Sequence, residues 1–367
     1  MKQIVLQENF QQALNYLQKA IPTRPSLPIL SSVLLEVTKK SCTIAATDLY
    51  FGVRAQVPTK VEAEGNLTVP GKQLKEIIQS FPAGSVTIEQ KDTQLDIISA
   101  VGKASLPIQT SQEYPPFPKV EGEKFVLPRS VIDDIKKYVI KSTSLDPTRP
   151  VLTGVYLEFS PEGLTVAGTD GFRLSVLSIP LKTKQITSLI IPAKVLEEVQ
   201  RIAELLQVQE LSFSVSEELK QVFFSFDEVE VFARLIDGEY PPFRQIIPES
   251  FTTQITVSTA EFQDQLKRGL IFSRESSIVL LHFSETELKV SALSSTAGNY
   301  EGVVGHSKIT GEVGSIAFNA KYVLDYLQTI QSESLTMSLK GSQKAAVFKS
   351  QDELNYLHLI MPFRINQ

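Results

Sequence analysis

Glu113-Tyr114-Pro115-Pro116-Phe117 returns 126 residues later as Glu239-Tyr240-Pro241-Pro242-Phe243, and a shorter echo, Met361-Pro362-Phe363, stands near the end of the 367-residue chain. One unit is written three times, with a period of about 122 residues. Two further markers keep the same order and spacing. Ile44-Ala45-Ala46-Thr47-Asp48 reappears as Val166-Ala167-Gly168-Thr169-Asp170 and decays to Val290-Ser291-Ala292-Leu293-Ser294. Leu67-Thr68-Val69-Pro70-Gly71-Lys72, Ile190-Ile191-Pro192-Ala193-Lys194 and Ile316-Ala317-Phe318-Asn319-Ala320-Lys321 each read as a strand entering a helix. This period far exceeds the ~20–50 residues of stacking solenoid units, so each copy is expected to be a domain with its own core. The expected boundaries are 1–122, 123–251 and 252–367.

Composition agrees. With 42% hydrophobic residues the chain is able to bury two or three ordinary cores, and no apolar run approaches the roughly 20 residues of a membrane span. The opening Met1-Lys2-Gln3-Ile4-Val5-Leu6-Gln7 is too short for a signal segment, so a cytosolic (cytoplasmic) protein is expected. Cys42 stands alone, which fits a reducing compartment. The net charge of −5 repels nucleic acid as a whole, so any nucleic-acid role must use a local basic surface.

Within a unit the grammar is compact. Each copy is expected to open with a helix of 3.6-residue period: Phe10, Ala13, Leu14, Leu17 and Ile21; then Val131, Ile132, Ile135 and Val139; then Phe262, Leu266, Leu270 and Ile271. Ser258 and Glu261 offer a capping box for the third. Alternating strands follow, among them Val33–Val37, 41–46 and Val53–Val57, then a second helix, then about four more strands such as Leu211–Val215. The fold class is α+β, with two helices on antiparallel sheet in each unit; three linked copies then place sheets outside and helices inside.

Basic residues recur on both helices of every copy: Lys19, Lys72 and Lys75; Lys136, Lys137, Lys141, Lys194 and Arg201; Lys267, Arg268, Arg274 and Lys321. Interspersed Asp133, Asp134, Glu197 and Glu198 also fit ordinary solvated faces, and it is the threefold repetition that favours a functional reading. Catalytic signals are poor. His282, His306 and His358 lack metal-ligand spacing, and no phosphate-binding, dinucleotide or nucleophile-elbow motif is present. No cofactor and no metal are expected. One alternative stays open, an α+β enzyme or ligand-binding protein that uses Asp48 and Asp170 as paired acid and base.

Four segments carry a specific resemblance: Arg24-Pro25-Ser26-Leu27-Pro28-Ile29-Leu30, Thr169-Asp170-Gly171-Phe172-Arg173-Leu174, Tyr240-Pro241-Pro242-Phe243-Arg244 and Met361-Pro362-Phe363-Arg364. Together they resemble the bacterial sliding clamps, the beta subunits of DNA polymerase III, from end to end. The resemblance implies a non-catalytic processivity factor. It implies a head-to-tail homodimer of three-domain subunits, closing a six-domain ring around duplex DNA. It implies partners: the replicative polymerase, the clamp loader, and repair and translesion polymerases. Their peptides would enter a hydrophobic cleft walled by Leu152, Thr169, Gly171, Phe172, Arg173, Leu174, Pro241, Ile246, Leu359, Met361, Pro362, Phe363 and Arg364, with Arg173 holding a polar group at the rim. Gln245 and Phe172 stand where arginine and histidine are common in the family. DNA contacts are implied for Arg24 and for Arg149 in the loop Asp146-Pro147-Thr148-Arg149-Pro150, alongside Lys72, Lys136, Lys141, Lys194, Arg201 and Lys267 on the helices. Closure is expected to pack Ile271 and Phe272 against Leu106 of the other subunit.

Overall fold

The computed structural model describes residues 1–119, 124–181, 187–294, 298–353 and 355–364. Its contacts form two compact units: Met1–Ile132 with Lys194–Leu235, and Asp133–Ala193 with Ile236–Gln367. The second repeat is divided between them, and the domain boundary expected at 122–123 lies outside the described residues.

Each repeat opens with a strand rather than a helix. Lys2–Leu6, Phe125–Pro128 and Thr253–Ser258 run directly into the helices Gln7–Leu17, Arg129–Asp134 and Thr259–Phe272. Among the described residues three strands follow the second helix in each repeat, not four. The missing fourth is the opening strand. Lys2–Leu6 pairs antiparallel with Ser85–Lys91, Phe125–Pro128 with Glu210–Ser216, and Thr253–Ser258 with Ser334–Leu339. Such short strands carry too few alternations to register beside a longer helical pattern; Gln3 and Val5 are nonetheless the inward residues of the first.

The first helix buries Phe10, Ala13, Leu14 and Leu17, while Ile21 lies beyond its end. Gln7 at its start is buried and donates to the carbonyl of Ile78 at 2.7 Å, fixing it to the second helix, Gly71–Ser80. In the second repeat the helix Arg129–Asp134 passes into a π turn, Ile135–Val139, with Val131, Ile132, Ile135 and Val139 all buried as expected. In the third repeat the inner face is Phe262, Leu266 and Gly269; Ile271 points outward, 54% exposed. Gly269 completes that face because it lies against Val279, where even a Cβ would come within 3.1 Å of Cγ1. The capping box is half made. Ser258 Oγ accepts the Glu261 N–H at 3.5 Å, but the Glu261 carboxylate turns instead to the N–H of His306 at 2.9 Å and to its ring.

Two seams join repeats by sheet hydrogen bonds. In the first unit Val229–Arg234 pairs with Phe51–Val57, making one eight-stranded sheet from the first and second repeats. In the second unit Tyr356–Ile360 pairs with Arg173–Ile179, making a nine-stranded sheet from the second and third. The last strand of one repeat thus continues the sheet of the one before it.

The second seam encloses a buried polar network. Ser175 Oγ lies 2.9 Å from His358 Nδ1, 3.1 Å from Tyr356 Oη and 2.8 Å from Ser142 Oγ, and the His358 ring stacks on Tyr326 with centroids 5.1 Å apart. Burial, with the Arg173 charge nearby, pushes the imidazole pKa down to about 3, so His358 is neutral in the fold. The unfolded chain takes up this proton near pH 6.5 and the folded chain does not. Stability from this group is therefore complete above pH 6.5 and is lost progressively as pH falls toward 3, by up to about a few kcal/mol. Urea unfolding between pH 7.5 and 4 should show His358→Gln to be less stable than wild type at neutral pH and flatter in its acid dependence; parallel profiles would contradict this.

Candidate partner-binding cleft

The strand Arg173–Ile179 starts from a tight turn built by Thr169 and Asp170. Thr169 Oγ1 donates to the Arg173 carbonyl at 2.6 Å and accepts the Gly171 N–H at 3.1 Å. Asp170 Oδ1 accepts the N–H groups of Phe172 at 2.8 Å and Arg173 at 3.0 Å. Gly171 sits at φ +92°, a region that side chains avoid. This turn holds the Phe172 ring out, 56% exposed, and presents its carbonyl to the Met361 N–H at 2.8 Å. Phe363 N–H bonds to the Ala317 carbonyl, also at 2.8 Å, so the segment Met361–Phe363 is fixed at two points while Met361 and Phe363 stay exposed. Arg364 is exposed beyond it, and Pro362 is half-buried.

Beneath lies one apolar cluster: Ala167, Leu174, Ile190, Tyr240, Phe243, Ala345, Val347 and Leu359. Leu174 and Leu359, expected as walls, are each 1% exposed and form the floor. Tyr240 stacks on Tyr156 at 4.9 Å and donates to the Ala167 carbonyl at 3.4 Å, leaving Pro241 exposed beside it. Ile246 is half exposed on the turn Phe243–Ile246, and Leu152 is half-buried in Pro150–Thr153. Tyr156, Ile190, Ala345 and Val347 escaped the sequence reading because nothing but sheet register brings them here.

Two arginines make contacts that the sequence did not show. Arg173 is not at the rim: its side chain is 10% exposed, bonded to Asp170 Oδ2 at 3.2 Å, to Asp325 Oδ2 at 2.6 Å and to the Lys141 carbonyl, with its guanidinium 4.5 Å from the Tyr322 ring centre. Arg149, expected among the DNA contacts, donates to the Asp170 carbonyl at 3.0 Å and lies against Gly171, at the cleft turn. Of the other expected DNA contacts, Arg24, Lys136, Lys194 and Lys267 are exposed, Lys72 is exposed with Glu76 3.9 Å away, and Lys141 Nζ bonds to Gln328 at 2.9 Å. Arg201 is engaged by Glu198 and by the Asn15 carbonyl at 3.0 Å, a structural use. Phe272 stacks on Tyr300 at 5.9 Å beside exposed Ile271, and Leu106 lies on the edge strand Gly102–Pro107 of the first unit.

The first seam repeats the cleft turn. Thr47 Oγ1 bonds the Phe51 carbonyl at 2.9 Å and the Leu49 N–H at 3.0 Å; Asp48 Oδ1 accepts the N–H of Tyr50 at 2.9 Å and of Phe51 at 2.7 Å; Tyr50 carbonyl accepts the Arg234 N–H at 2.8 Å. Both aspartates are thus spent on backbone amides, and the acid–base alternative loses its residues. Beneath this turn Phe232 occupies the space left by Gly52 and packs edge-on against Phe117 at 4.9 Å. At the equivalent positions of the second seam stand Leu359, Leu174 and Phe243, with less aromatic bulk. A hollow of about 1000 Å³ lies elsewhere on the third repeat, bordered by Ser258, Glu261, His306 and Glu333, and includes none of the cleft residues.

Comparison with known proteins places the whole chain. Family models for the DNA polymerase III beta subunit match in order, the N-terminal domain over residues 1–118, the central domain over 126–242 and the C-terminal domain over 244–364. The chain belongs to the DNA polymerase III beta-subunit family, the sliding clamps. Beta sliding clamps of Halalkalibacterium halodurans and a Synechocystis species are similar at 29% and 28% identity, the alignments covering 98% and 100% of this chain and 99% and 100% of theirs. The crystal structure of the beta subunit from Thermotoga maritima has the same fold, with TM-score 0.93 and 25% identity over the full length of both chains. The sliding clamp from Bacillus subtilis superposes at 0.94 with 24% identity, again over both full lengths.

Gly171→Ala forces a Cβ into the left-handed region and toward Arg149 Nη1, 3.2 Å away. It should destabilise the chain by about 1 kcal/mol or more in urea unfolding. An unchanged midpoint would show the turn to be free to relax.

Proposed function

We propose that this sliding clamp closes as a head-to-tail homodimer around duplex DNA and tethers its partners through the Phe172–Met361 cleft, with domains at 1–122, 123–251 and 252–367. As a processivity factor it is non-catalytic; its work is to keep a DNA polymerase on its template. The observation that carries the ring is the seam. Twice the last strand of one repeat pairs with the fourth strand of the preceding repeat, and the corresponding strands left over, Gly102–Pro107 in the first repeat and Gly298–Val304 in the third, are both sheet edges. A third seam between two copies uses both edges, and a heterologous contact repeated with closure makes a ring.

Register supports the same pairing. In the first seam Glu230 faces Arg54 and the two form an ion pair; the equivalent positions of the leftover edges are Lys103 and Glu301, opposite charges with the signs exchanged. The same register sets Leu106 opposite Gly298, near Phe272 stacked on Tyr300. Lys103→Glu should therefore shift the dimer toward monomer in sedimentation velocity, and Lys103→Glu with Glu301→Lys should restore it; failure of the exchange to rescue would remove this register. Wild-type clamp loaded on nicked circular DNA should be retained and then lost when the circle is cut, because lysine and arginine contacts to phosphate are sequence-independent and topology holds the ring. Loss from the intact circle at the same rate would refute encirclement.

The replicative polymerase, the clamp loader, and repair and translesion polymerases are the proposed partners, and a cytoplasmic location follows from the same reading. No helix among the described residues is long and apolar enough to cross a membrane. Cleft anchors of Leu, Met, Pro and Phe suit a short peptide with aliphatic and aromatic side chains. Removing residues 361–367 should raise the Kd of a micromolar polymerase-derived peptide by roughly two orders of magnitude, from loss of two anchors at about 1–2 kcal/mol each, while leaving the dimer intact. Equal affinity in a fluorescence-anisotropy titration would take the tail out of the site.

A further inference from the structure

Asp325 belongs to no site expected from the sequence, yet it grips the arginine under the cleft. We propose that Asp325, on the helix Ala320–Leu327, is a positioning residue for partner docking that acts through Arg173 and never touches the peptide. The inference rests on reading the Phe172–Met361 cleft as the docking site. Arg173 reaches Asp325 Oδ2 at 2.6 Å, Asp170 Oδ2 at 3.2 Å and the Lys141 carbonyl, with Tyr322 against its face; all three guanidinium nitrogens are held within the protein and the side chain is only 10% exposed, which suits a tie rather than a contact to a guest.

The first seam supplies the control. There the turn Thr47–Phe51 closes with the equivalent hydrogen bonds although Phe51 occupies the arginine position. Glu198, which occupies the position of Asp325, pairs along its own helix with Arg201. The turn therefore folds without an arginine. What Arg173 adds at the second seam is a tie from the turn to the helix of the third repeat. Because the Phe172 carbonyl holds the Met361 N–H at 2.8 Å, that tie fixes the exposed Phe172 and Met361 together relative to the helix.

The test uses the full-length clamp as wild type, Asp325→Asn, Asp325→Glu, Arg173→Gln, and Arg173→Gln with Asp325→Asn. Two labelled peptides carry the same Leu and Phe anchors and differ by one Asp-to-Asn exchange. Asp325→Asn should weaken both peptides equally, by about three- to thirtyfold, should add nothing in the Arg173→Gln background, and should be largely restored in Asp325→Glu. Amide exchange at Phe172 and Met361 in the peptide-free protein should quicken in Asp325→Asn. Wild-type affinity in Asp325→Asn, the same loss with Arg173 already removed, or a loss confined to the acidic peptide would each overturn the proposal. If wild type binds neither peptide the docking reading fails, and unchanged amide exchange then overturns the tie as well.

Discussion

The constraint on which the rest depends is that each repeat has two strand edges that a neighbouring repeat is able to pair. An unpaired edge exposes a row of N–H and C=O groups that another strand will satisfy. Inside the chain the edges of neighbouring repeats satisfy each other, giving sheets of eight and nine strands where single repeats would supply four or five. The two compact units therefore cut across the three sequence repeats. Compactness follows shared sheets and their buried faces, whereas repetition follows the gene.

A seam also generates the cleft, and comparing the two seams shows what distinguishes them. Both have the Thr-Asp turn, the exposed aromatic two residues after the aspartate and the hydrogen bond from the returning strand. The first places a glycine opposite a phenylalanine, Gly52 against Phe232, and the ring fills the gap beside Phe117. The second places leucine against leucine, Leu174 opposite Leu359, with Val347 and Ala345 behind. Aromatic packing fills the first beneath its exposed Tyr50, and aliphatic packing under the pinned Met361–Phe363 segment leaves Phe172, Met361 and Phe363 exposed together at the second. Leu49 marks the difference in another way: it adopts φ +79° where the second seam has Gly171, a strained choice for a side chain.

The triplication and the α+β class were legible in the sequence because they rest on local patterns, the Pro-Pro-Phe segments, the Thr-Asp turns and the strand-to-helix markers, whereas the walls of the candidate cleft were named from the family resemblance alone. What was not legible rests on pairing at a distance. The opening strands are short and gain their identity from partners about 80 residues away, as Gln3 does from Ile88. Leu174 and Leu359 look like walls in a motif and become floor through cross-strand register. Arg173 and Arg149 illustrate the same limit, since a sequence shows an arginine's charge and not which carbonyls its fork will reach. Gly269 completed a helix face assigned to Leu270 and Ile271, because close approach of Val279 favours the residue that hydropathy ignores.

Charge follows a different rule from packing in this molecule. Arginines near the seams are fixed: Arg54 on Glu230, Arg201 on Glu198 and a helix carbonyl, Arg173 on two carboxylates. Among the expected DNA contacts Arg24, Lys194 and Lys267 stand exposed, and Lys72 is only 3.9 Å from a single glutamate. Guanidinium geometry suits a bidentate, directional grip, and a flexible ammonium suits a contact that must form and break with successive phosphates. A net charge of −5 discourages adsorption of DNA at random, and any exposed cation that meets a phosphate adds only a weak, salt-sensitive attraction. Weak contacts hold nothing in place by themselves, which is the condition a sliding ring requires: topology supplies retention.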